Sequence, residues 1–267
     1  MSPREGATDQ TVAAQPGGEG SAYRTNKRSC SAKYGPAFRR RVFPPTIANV
    51  KIVVNFVIGM LGVFSAAAVE PQAILERTNN LRPEILELAL EAYEQAEAGG
   101  HIRRPVLTII DYELPSYQQR LWVIDMKVGR VLYQEWVAHG MGAPRGSGGT
   151  MEEALSFSNE KGTLKSSLGL FVTAETYYGR HGYSLKLDGL EEGVNDNARE
   201  RLIVLHSAHY VSEGRADDHL IGRSWGCPVL RPDISTSLID TIKEGSLLWV
   251  YYPEPKWLSE SRFLEIE

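Results

Sequence analysis

The residues best suited to chemistry in this chain are one cysteine and one histidine. Cys227 stands in the run Arg223-Ser-Trp-Gly-Cys-Pro228, and His206 ends an apolar run that begins at Leu202. A thiol beside an imidazole can lose its proton to form a thiolate–imidazolium pair, in which the thiolate is the attacking species. We therefore predict that Cys227 is a nucleophile and that His206 serves as its base and then as an acid.

The neighbours of this pair indicate how an acyl group would be handled. Gly226 has no side chain to block an acyl group that approaches the main chain of the turn. The N–H groups of Trp225, Gly226 and Cys227 are therefore predicted to stabilise a tetrahedral oxyanion. Ser207 follows the histidine directly and is predicted to orient the imidazole of His206.

Two other interpretations of these residues stay open on composition alone. A lone cysteine is commonly an inert buried thiol. His206, His209, His219 and Cys227 also form a set of metal-ligating residue types. On a strand, side chains at odd spacing point to opposite faces, so His206 and His209 would converge only through a bend. We predict no metal site, and we expect His209 to be a hydrogen-bonded partner of the turn.

Short runs rich in β-branched and aromatic residues must position this pair. They predict seven strands, with Lys127–Gly129 as a tight hairpin, in an antiparallel sandwich or barrel-like sheet. The predicted strands are Val106–Tyr112, Arg120–Met126, Arg130–Ala138, Gly169–Glu175, Tyr183–Leu187, Arg201–His206 and Ser246–Tyr252.

Helical spacing of apolar residues predicts three helices. Pro83–Ala98 reads as an amphipathic helix that Gly99 and Gly100 end. Two shorter helices are predicted at about Leu190–Arg199 and at Asp233–Lys243, where Asp233 caps the start and Gly245 ends the helix. The fold class is therefore mainly β, with two short helices and an N-terminal helix.

The first 68 residues have the features of an export leader. Residues 1–49 are polar and basic without apolar periodicity, and we expect them to be disordered. Residues 50–68 contain the apolar run Ile52–Phe64 followed by Ser65-Ala-Ala-Ala68, as in a signal peptide cleaved after Ala68; a buried helix or a membrane anchor is the alternative. The long preceding segment is explained either by a basic n-region with a weak twin-arginine resemblance or by a start site placed too far upstream, with translation beginning at Val50.

The charge of the mature chain argues against a nucleic-acid partner, and its cysteine content argues against a structural disulfide. Residues 1–68 carry 9 Lys and Arg against 3 Asp and Glu, which leaves 20 against 30 for residues 69–267. An acidic body repels phosphate backbones, so no nucleic-acid partner is expected. With Cys30 in the leader and Cys227 in the body, no structural disulfide is expected.

The order of several motifs resembles the murein L,D-transpeptidase catalytic-domain family, often called the YkuD domain. That family has a histidine followed by a Ser/Thr-His-Gly-Cys block, and here seventeen residues separate His206 from Ser224-Trp-Gly-Cys227. The resemblance covers about residues 104–253. The other motifs that carry it are His139-Gly140, Phe157-Ser-Asn159, Ser166-Ser-Leu-Gly169, Tyr178-Gly-Arg-His-Gly-Tyr-Ser184, Leu187-Asp-Gly-Leu190, Asn195-Asp-Asn-Ala198 and Gly222–Pro228.

The resemblance implies a YkuD-like β-sandwich or barrel that acts on peptidoglycan stem peptides in the periplasm or cell wall. It implies that Cys227 is the nucleophile, His206 the base and Ser207 their partner, with no metal or organic cofactor. Cys227 would form a thioester with a stem tetrapeptide and pass the acyl group to an amine. The alternatives are an L,D-carboxypeptidase using the same site and a non-catalytic peptidoglycan-binding domain.

Further residues are candidates for substrate contact. The wider family has histidine where this chain has Trp225, and arginine or asparagine where it has Val229. Arg223 or Arg231 is expected to supply the positive charge that a peptide carboxylate needs. The other candidates are Tyr178, His181, His209 and Ser224, while His139 either faces the site or packs in the core.

We accordingly divide the mature chain into three parts. Residues 69–103 are a helical lead segment, residues 104–255 are the catalytic domain and residues 256–267 are a C-terminal tail. The sequence predicts no membrane span in the mature protein and does not indicate an oligomeric state.

Overall fold

The computed structural model describes residues 69–265, so the predicted leader and signal peptide, residues 1–49 and 50–68, lie outside the described residues. Eight strands form one sheet in the order β3-β2-β1-β8-β4-β5-β6-β7. The strands are β1 (Val106–Asp111), β2 (Leu121–Asp125), β3 (Arg130–Glu135), β4 (Gly169–Gly179), β5 (Gly182–Gly189), β6 (Val204–Ser207), β7 (Val229–Leu230) and β8 (Leu247–Tyr251).

The sheet is mixed and nearly closed. Most neighbours are antiparallel, as predicted for the sheet, but β1 pairs with β8 and β6 pairs with β7 in parallel. Ala138, just beyond β3, bridges to Val229 of β7 and brings the two sheet edges together. The mainly β fold class is confirmed, and β7 is a short strand that the sequence patterns did not predict.

Five helices accompany the sheet in residues 69–265. They are α1 (Pro71–Leu75), α2 (Pro83–Ala98), α3 (Glu213–Asp217), α4 (Pro232–Ile242) and α5 (Pro255–Glu260). The predicted amphipathic helix is confirmed as α2, which buries Ile85, Leu86 and Tyr93 and contacts β1 and β8. Helix α2 therefore belongs to the main core, together with Trp122 and Trp249 of the sheet.

Helix α4 starts differently from the prediction. Its N-cap is Arg231, Pro232 occupies the first turn, and no side chain caps the helix. Asp233 lies within the first turn and pairs with Arg231, so it is not the cap. Proline suits this first position because it has no N–H group to leave unsatisfied. The helix ends at Ile242, before Gly245.

The helix predicted at Leu190–Arg199 is absent, and consecutive turns take its place. Gly193 adopts φ +75°, a left-handed conformation that interrupts an α-helix. The side chain of Asn195 accepts from the N–H of Glu191 and donates to the carbonyl of Leu168. These side-chain bonds satisfy main-chain groups locally and compete with helical bonding.

The segment expected to be a C-terminal tail is packed as far as it is described. Trp257 of α5 is buried, and its indole donates to Glu191 Oε2 at 3.0 Å. Phe263 and Leu264 are buried in the same main core. Residues 255–264 thereby cover the turns that precede β6.

Candidate active site

His206 and Cys227 meet because β6 and β7 run side by side. His206 lies in β6 with Val229 of β7 as its paired residue, and Cys227 is two residues before Val229. The histidine is 3% exposed and the cysteine half-buried. Together they line a pocket of about 190 Å³, and its full lining is Arg180, His181, His206, Tyr210, Arg223, Ser224, Trp225 and Cys227.

The imidazole of His206 is held in one tautomer. Its Nδ1 lies 3.0 Å from the main-chain oxygen of Ser207. A carbonyl oxygen only accepts hydrogen bonds, so Nδ1 carries the proton and Nε2 keeps a free lone pair. Ser207 therefore contacts the histidine through its main-chain carbonyl. The Nε2 atom is the one that can take up a proton.

The thiol of Cys227 lies among main-chain groups. Sγ is 3.5 Å from the N–H of Val204 and 3.5 Å from the carbonyl oxygen of Leu202, to which the thiol donates. Leu202 has φ +58°, a conformation that is costly for a residue other than glycine. This left-handed residue points its carbonyl oxygen at the nucleophile.

Burial keeps both groups neutral in the free protein. Desolvation raises the pKa of Cys227, although the Val204 N–H and the charge of Arg201 act against it. Desolvation lowers the pKa of His206, and the hydrogen bond to Ser207 opposes that shift. Both shifts disfavour the charged forms. These shifts favour a neutral thiol and a neutral imidazole before substrate binds, which agrees with His206 acting as a base toward the thiol.

The turn before Cys227 is closed by the Ser224 hydroxyl. It accepts from the N–H of Gly226 at 3.1 Å and donates to the carbonyl oxygen of Cys227 at 2.6 Å. The Gly226 N–H, which was predicted to serve the oxyanion site, is thus bound to Ser224 Oγ in the free protein. Within residues 69–265 the N–H groups of Trp225 and Cys227 have no hydrogen-bond acceptor, so they remain available to an oxyanion.

Gly226 is required by the backbone of the turn. It has φ +115°, and a Cβ atom there would lie 2.7 Å from the carbonyl oxygen of Lys165 and 2.9 Å from Ile203 Cδ1. Its own carbonyl oxygen accepts from Ser166 Oγ at 3.1 Å. In the sequence, glycine was expected here because it leaves room for an acyl group. In the structure, the backbone conformation and the close packing require it.

The pocket walls include two residues that the sequence analysis did not single out. Arg180 precedes His181 in the two-residue turn between β4 and β5, and Tyr210 follows β6. Trp225 is 64% exposed at the pocket. Arg223 also lines it, with Nη1 donating to the carbonyl oxygen of Gly149. The sequence pattern that could have identified Arg180 is a charged residue next to His181, with Gly179 and Gly182 on either side.

Three other candidates for substrate contact do not line the pocket. Tyr178 is 83% exposed and packs on Tyr183. His209 is exposed, packs edge-on against Tyr210, and makes no side-chain hydrogen bond within residues 69–265. Arg231 forms a two-pronged ion pair with Glu135 at 2.8 and 2.9 Å. The guanidinium that was expected to bind a substrate carboxylate is thus paired with a carboxylate of the protein.

His139 is a buried structural residue. Its Nδ1 lies 3.0 Å from Arg120 Nη2, which can only donate, and its Nε2 lies 3.1 Å from the carbonyl oxygen of Thr150. Burial, with the Arg120 charge, lowers the pKa of His139 to about 3. Its carbonyl oxygen accepts the N–H of Ser224 at 2.8 Å. His139 therefore supports the turn at Ser224–Cys227 through its main-chain carbonyl and does not line the pocket.

The four residues considered as a metal set do not gather in the structure. His219 stacks on Tyr117 with ring centroids 3.8 Å apart, and it is not part of the pocket that holds His206 and Cys227. In residues 69–265 no group of three or more His, Cys, Asp or Glu side chains is placed to hold a metal ion.

The sequence of residues 77–251 matches the family described as the L,D-transpeptidase catalytic domain. The chain belongs to this family. The match starts within the segment before α2, so the L,D-transpeptidase domain includes the helix that the sequence analysis assigned to a separate lead segment. A search of curated proteins found no match.

Several solved L,D-transpeptidase structures are similar to this one. The enzyme from Mycobacterium smegmatis has 15% identity and a TM-score of 0.33, with 55% of this chain and 59% of that chain covered. The Mycobacterium tuberculosis L,D-transpeptidase 1 has 13% identity and a TM-score of 0.29 over 54% and 60%. The Stackebrandtia nassauensis L,D-transpeptidase has 16% identity and a TM-score of 0.33 over 63% and 68%. The chain thus spans about three fifths of the first two structures.

Proposed function

We propose that this protein is an exported, cysteine-dependent L,D-transpeptidase that acts on peptidoglycan stem peptides. The observation that carries the proposal is the pocket in which Cys227 lies with His206, whose Nδ1 is held by the Ser207 carbonyl. Membership of the L,D-transpeptidase family supports the reaction class. The substrate class, the thioester and export are part of the proposal.

The first half of the reaction forms a thioester. Nε2 of His206 takes the proton from Cys227 Sγ, and the sulfur leaves its contact with Leu202. The thiolate then attacks the carbonyl carbon of the third residue of a stem tetrapeptide. The N–H groups of Trp225 and Cys227 stabilise the oxyanion. When the carbon–nitrogen bond breaks, the imidazolium gives its proton to the leaving amine of D-Ala.

The second half transfers the acyl group. An acceptor amine from a neighbouring stem attacks the thioester carbon while Nε2 of His206 takes a proton from the attacking nitrogen. The carbon–sulfur bond breaks, an amide forms, and the imidazolium returns its proton to the Cys227 thiolate. If water attacks instead, the product is a carboxylate and the enzyme is an L,D-carboxypeptidase.

Two arginines give the pocket the charge that a stem peptide requires. Arg223 lines the pocket while its Nη1 is fixed on the Gly149 carbonyl, and Arg180 lines it from the β4–β5 turn. A guanidinium binds a carboxylate through two parallel N–H groups. We assign the recognition of a carboxylate beside the scissile bond to these residues, because Arg231 is already paired.

Export forms a separate part of the proposal. It depends on the apolar run Ile52–Phe64 and the small residues up to Ala68, and it places the protein in the periplasm or cell wall. Among residues 69–265 no helix is long and apolar enough to cross a bilayer.

The deciding experiment is incubation of the protein with purified stem tetrapeptide muropeptides, followed by mass analysis. We expect released D-Ala together with cross-linked dimers, because an amine acceptor resolves the thioester. Release of D-Ala without dimers would show a carboxypeptidase. No D-Ala and no mass adduct on Cys227 after exposure to a carbapenem would support a non-catalytic binding domain and refute the proposal.

The neutral state of the catalytic pair predicts an unusual pH dependence of thiol reactivity. Burial raises the pKa of Cys227 above its ordinary value of 9.0, so the thiolate fraction stays small at neutral pH. In a Cys30→Ala background, the rate of Cys227 alkylation by iodoacetamide should rise about tenfold per pH unit through neutral pH and level off only above about pH 9. A fast plateau that extends below pH 7 would instead show a preformed thiolate–imidazolium pair.

The same neutrality sets the acid limit of turnover. Burial lowers the pKa of His206, so Nε2 keeps its lone pair as the pH falls below about 6.5, the ordinary value for histidine. Turnover is lost only when the pH falls through the lowered pKa. The acid limb of kcat/KM should therefore lie below pH 6.5.

A further inference from the structure

A second histidine covers the catalytic one. The ring of His181 stacks on the ring of His206 with centroids 4.3 Å apart and planes inclined by 22°. His181 is exposed, whereas His206 is 3% exposed. One face of the buried imidazole is thus closed by a ring whose other face is open to solvent.

The β4–β5 hairpin delivers this ring. Gly179 pairs with Gly182, so Arg180 and His181 form a two-residue turn at its tip, with Gly182 at φ +76°. Strand β5 also pairs with β6 through Leu185 and Leu205, next to His206. The hairpin is therefore anchored on the strand that carries His206. This pairing fixes the position of the hairpin tip relative to His206.

We propose that His181 is a positioning residue for His206. The inference rests on the proposed function, since it assumes that His206 is the base. The Ser207 carbonyl holds Nδ1 at the ring edge, but a single hydrogen bond leaves the ring free to swing about that contact. Stacking on its face restricts this swing and keeps Nε2 directed into the pocket.

The stack also shields His206 from water and from protonation. The charged and titratable groups around His206 in the pocket are His181 and Arg180 from the hairpin, Tyr210 from the segment after β6, and Arg223 and Cys227 from the turn. An imidazolium at His206 would lie against the ring of His181, which can itself become charged. Desolvation and the presence of His181 both lower the pKa of His206, which preserves its lone pair.

A direct role of His181 in substrate binding is the competing explanation. Such a role would use the ring nitrogens, which make no hydrogen bond within residues 69–265. A positioning role uses the ring face, which phenylalanine also provides.

The test compares His181→Ala with His181→Phe. Loss of the ring in His181→Ala should lower kcat for D-Ala release by about 10- to 100-fold, with little change in KM. It should also move the acid limb of kcat/KM upward. His181→Phe keeps the stack and the shield, so its kcat should stay within about threefold of the unmodified protein.

A matched control is His219→Asn. His219 is another half-exposed histidine stacked on an aromatic ring, outside the pocket, and asparagine tolerates its φ of +58°. This variant should retain the kcat and the acid limb of the unmodified protein. If His181→Phe loses as much activity as His181→Ala, or if His181→Ala loses none, the positioning role is refuted.

A readout independent of turnover separates this inference from the proposed function. Nitrogen-15 NMR of the full chain follows the tautomer and titration of His206. In His181→Ala the His206 titration should shift to higher pH, and in His181→Phe, which keeps the shielding ring but lacks the charge that His181 can carry, it should shift by less. Absence of D-Ala release by the unmodified protein would refute the proposed function, while an unchanged titration in His181→Ala would refute the role of His181.

Discussion

Cys227→Ala should abolish both the release of D-Ala from stem tetrapeptides and the formation of a carbapenem adduct. Without the sulfur there is no atom to form the thioester, and the remaining pocket can only bind. We expect a loss of at least about 10³-fold in kcat. The measurement is the mass analysis of muropeptides described above, with the adduct followed on the intact protein.

The fold should survive this change. Cys227 is half-buried at the edge of a small apolar cluster that includes Val211, Ile221 and Val229, and alanine removes one atom from that edge. The melting temperature should shift by only a few degrees. Cys30→Ala is the matched control, because these are the two cysteines of the sequence, and it should keep full activity. Residual D-Ala release by Cys227→Ala would exclude Cys227 as the nucleophile.

Local patterns predicted the secondary structure where it depends on neighbours in sequence. The β-branched run at Val106–Asp111 and the apolar spacing of Pro83–Ala98 encode their elements directly, and the structure confirms both. Strand β7 has two residues and no pattern of its own, and it forms because Val229 pairs with His206 of a distant segment. The parallel pairing of β1 with β8 depends in the same way on contacts far apart in sequence.

In the active site, too, the sequence indicated residue types, whereas the environment of those residues depends on the tertiary fold. The types and order of His206 and Cys227 were sufficient to select them. The neutral state of the pair depends on burial, which composition does not reveal. Arg231 looked available in the sequence, but Glu135 at the end of β3 occupies its guanidinium. The Ser224 hydroxyl similarly closes the turn, where the sequence suggested a substrate contact.

A second large effect is expected at Arg120, which does not line the pocket of the nucleophile. This arginine is fully buried, and it donates to the carbonyl oxygens of Val137 and Leu114 and to Nδ1 of His139. Its guanidinium also lies 4.9 Å from the ring of Tyr112. Desolvation lowers the pKa of Arg120 to about 10, so it remains charged at neutral pH.

Arg120→Met keeps an unbranched apolar stem and removes every donor. The buried acceptors at Val137, Leu114 and His139 would then be unsatisfied, and each such group costs about 1–3 kcal/mol. We expect the free energy of unfolding to fall by about 3–5 kcal/mol, measured by urea denaturation. Arg130→Met is the control, since Arg130 is exposed and its ion pair with Asp125 is long, at 3.9 Å. This substitution should cost less than about 0.5 kcal/mol.

The same substitution should also reach the active site, because Arg120 and the nucleophile turn share a support. Arg120 holds the ring of His139, and the His139 carbonyl accepts the N–H of Ser224, whose hydroxyl closes the turn at Cys227. If this chain of contacts sets the turn, the folded Arg120→Met protein loses kcat as well as stability. Full kcat in a strongly destabilised Arg120→Met would show that the turn is held by β7 and Ser166 alone, and that the buried arginine serves the fold without serving the site.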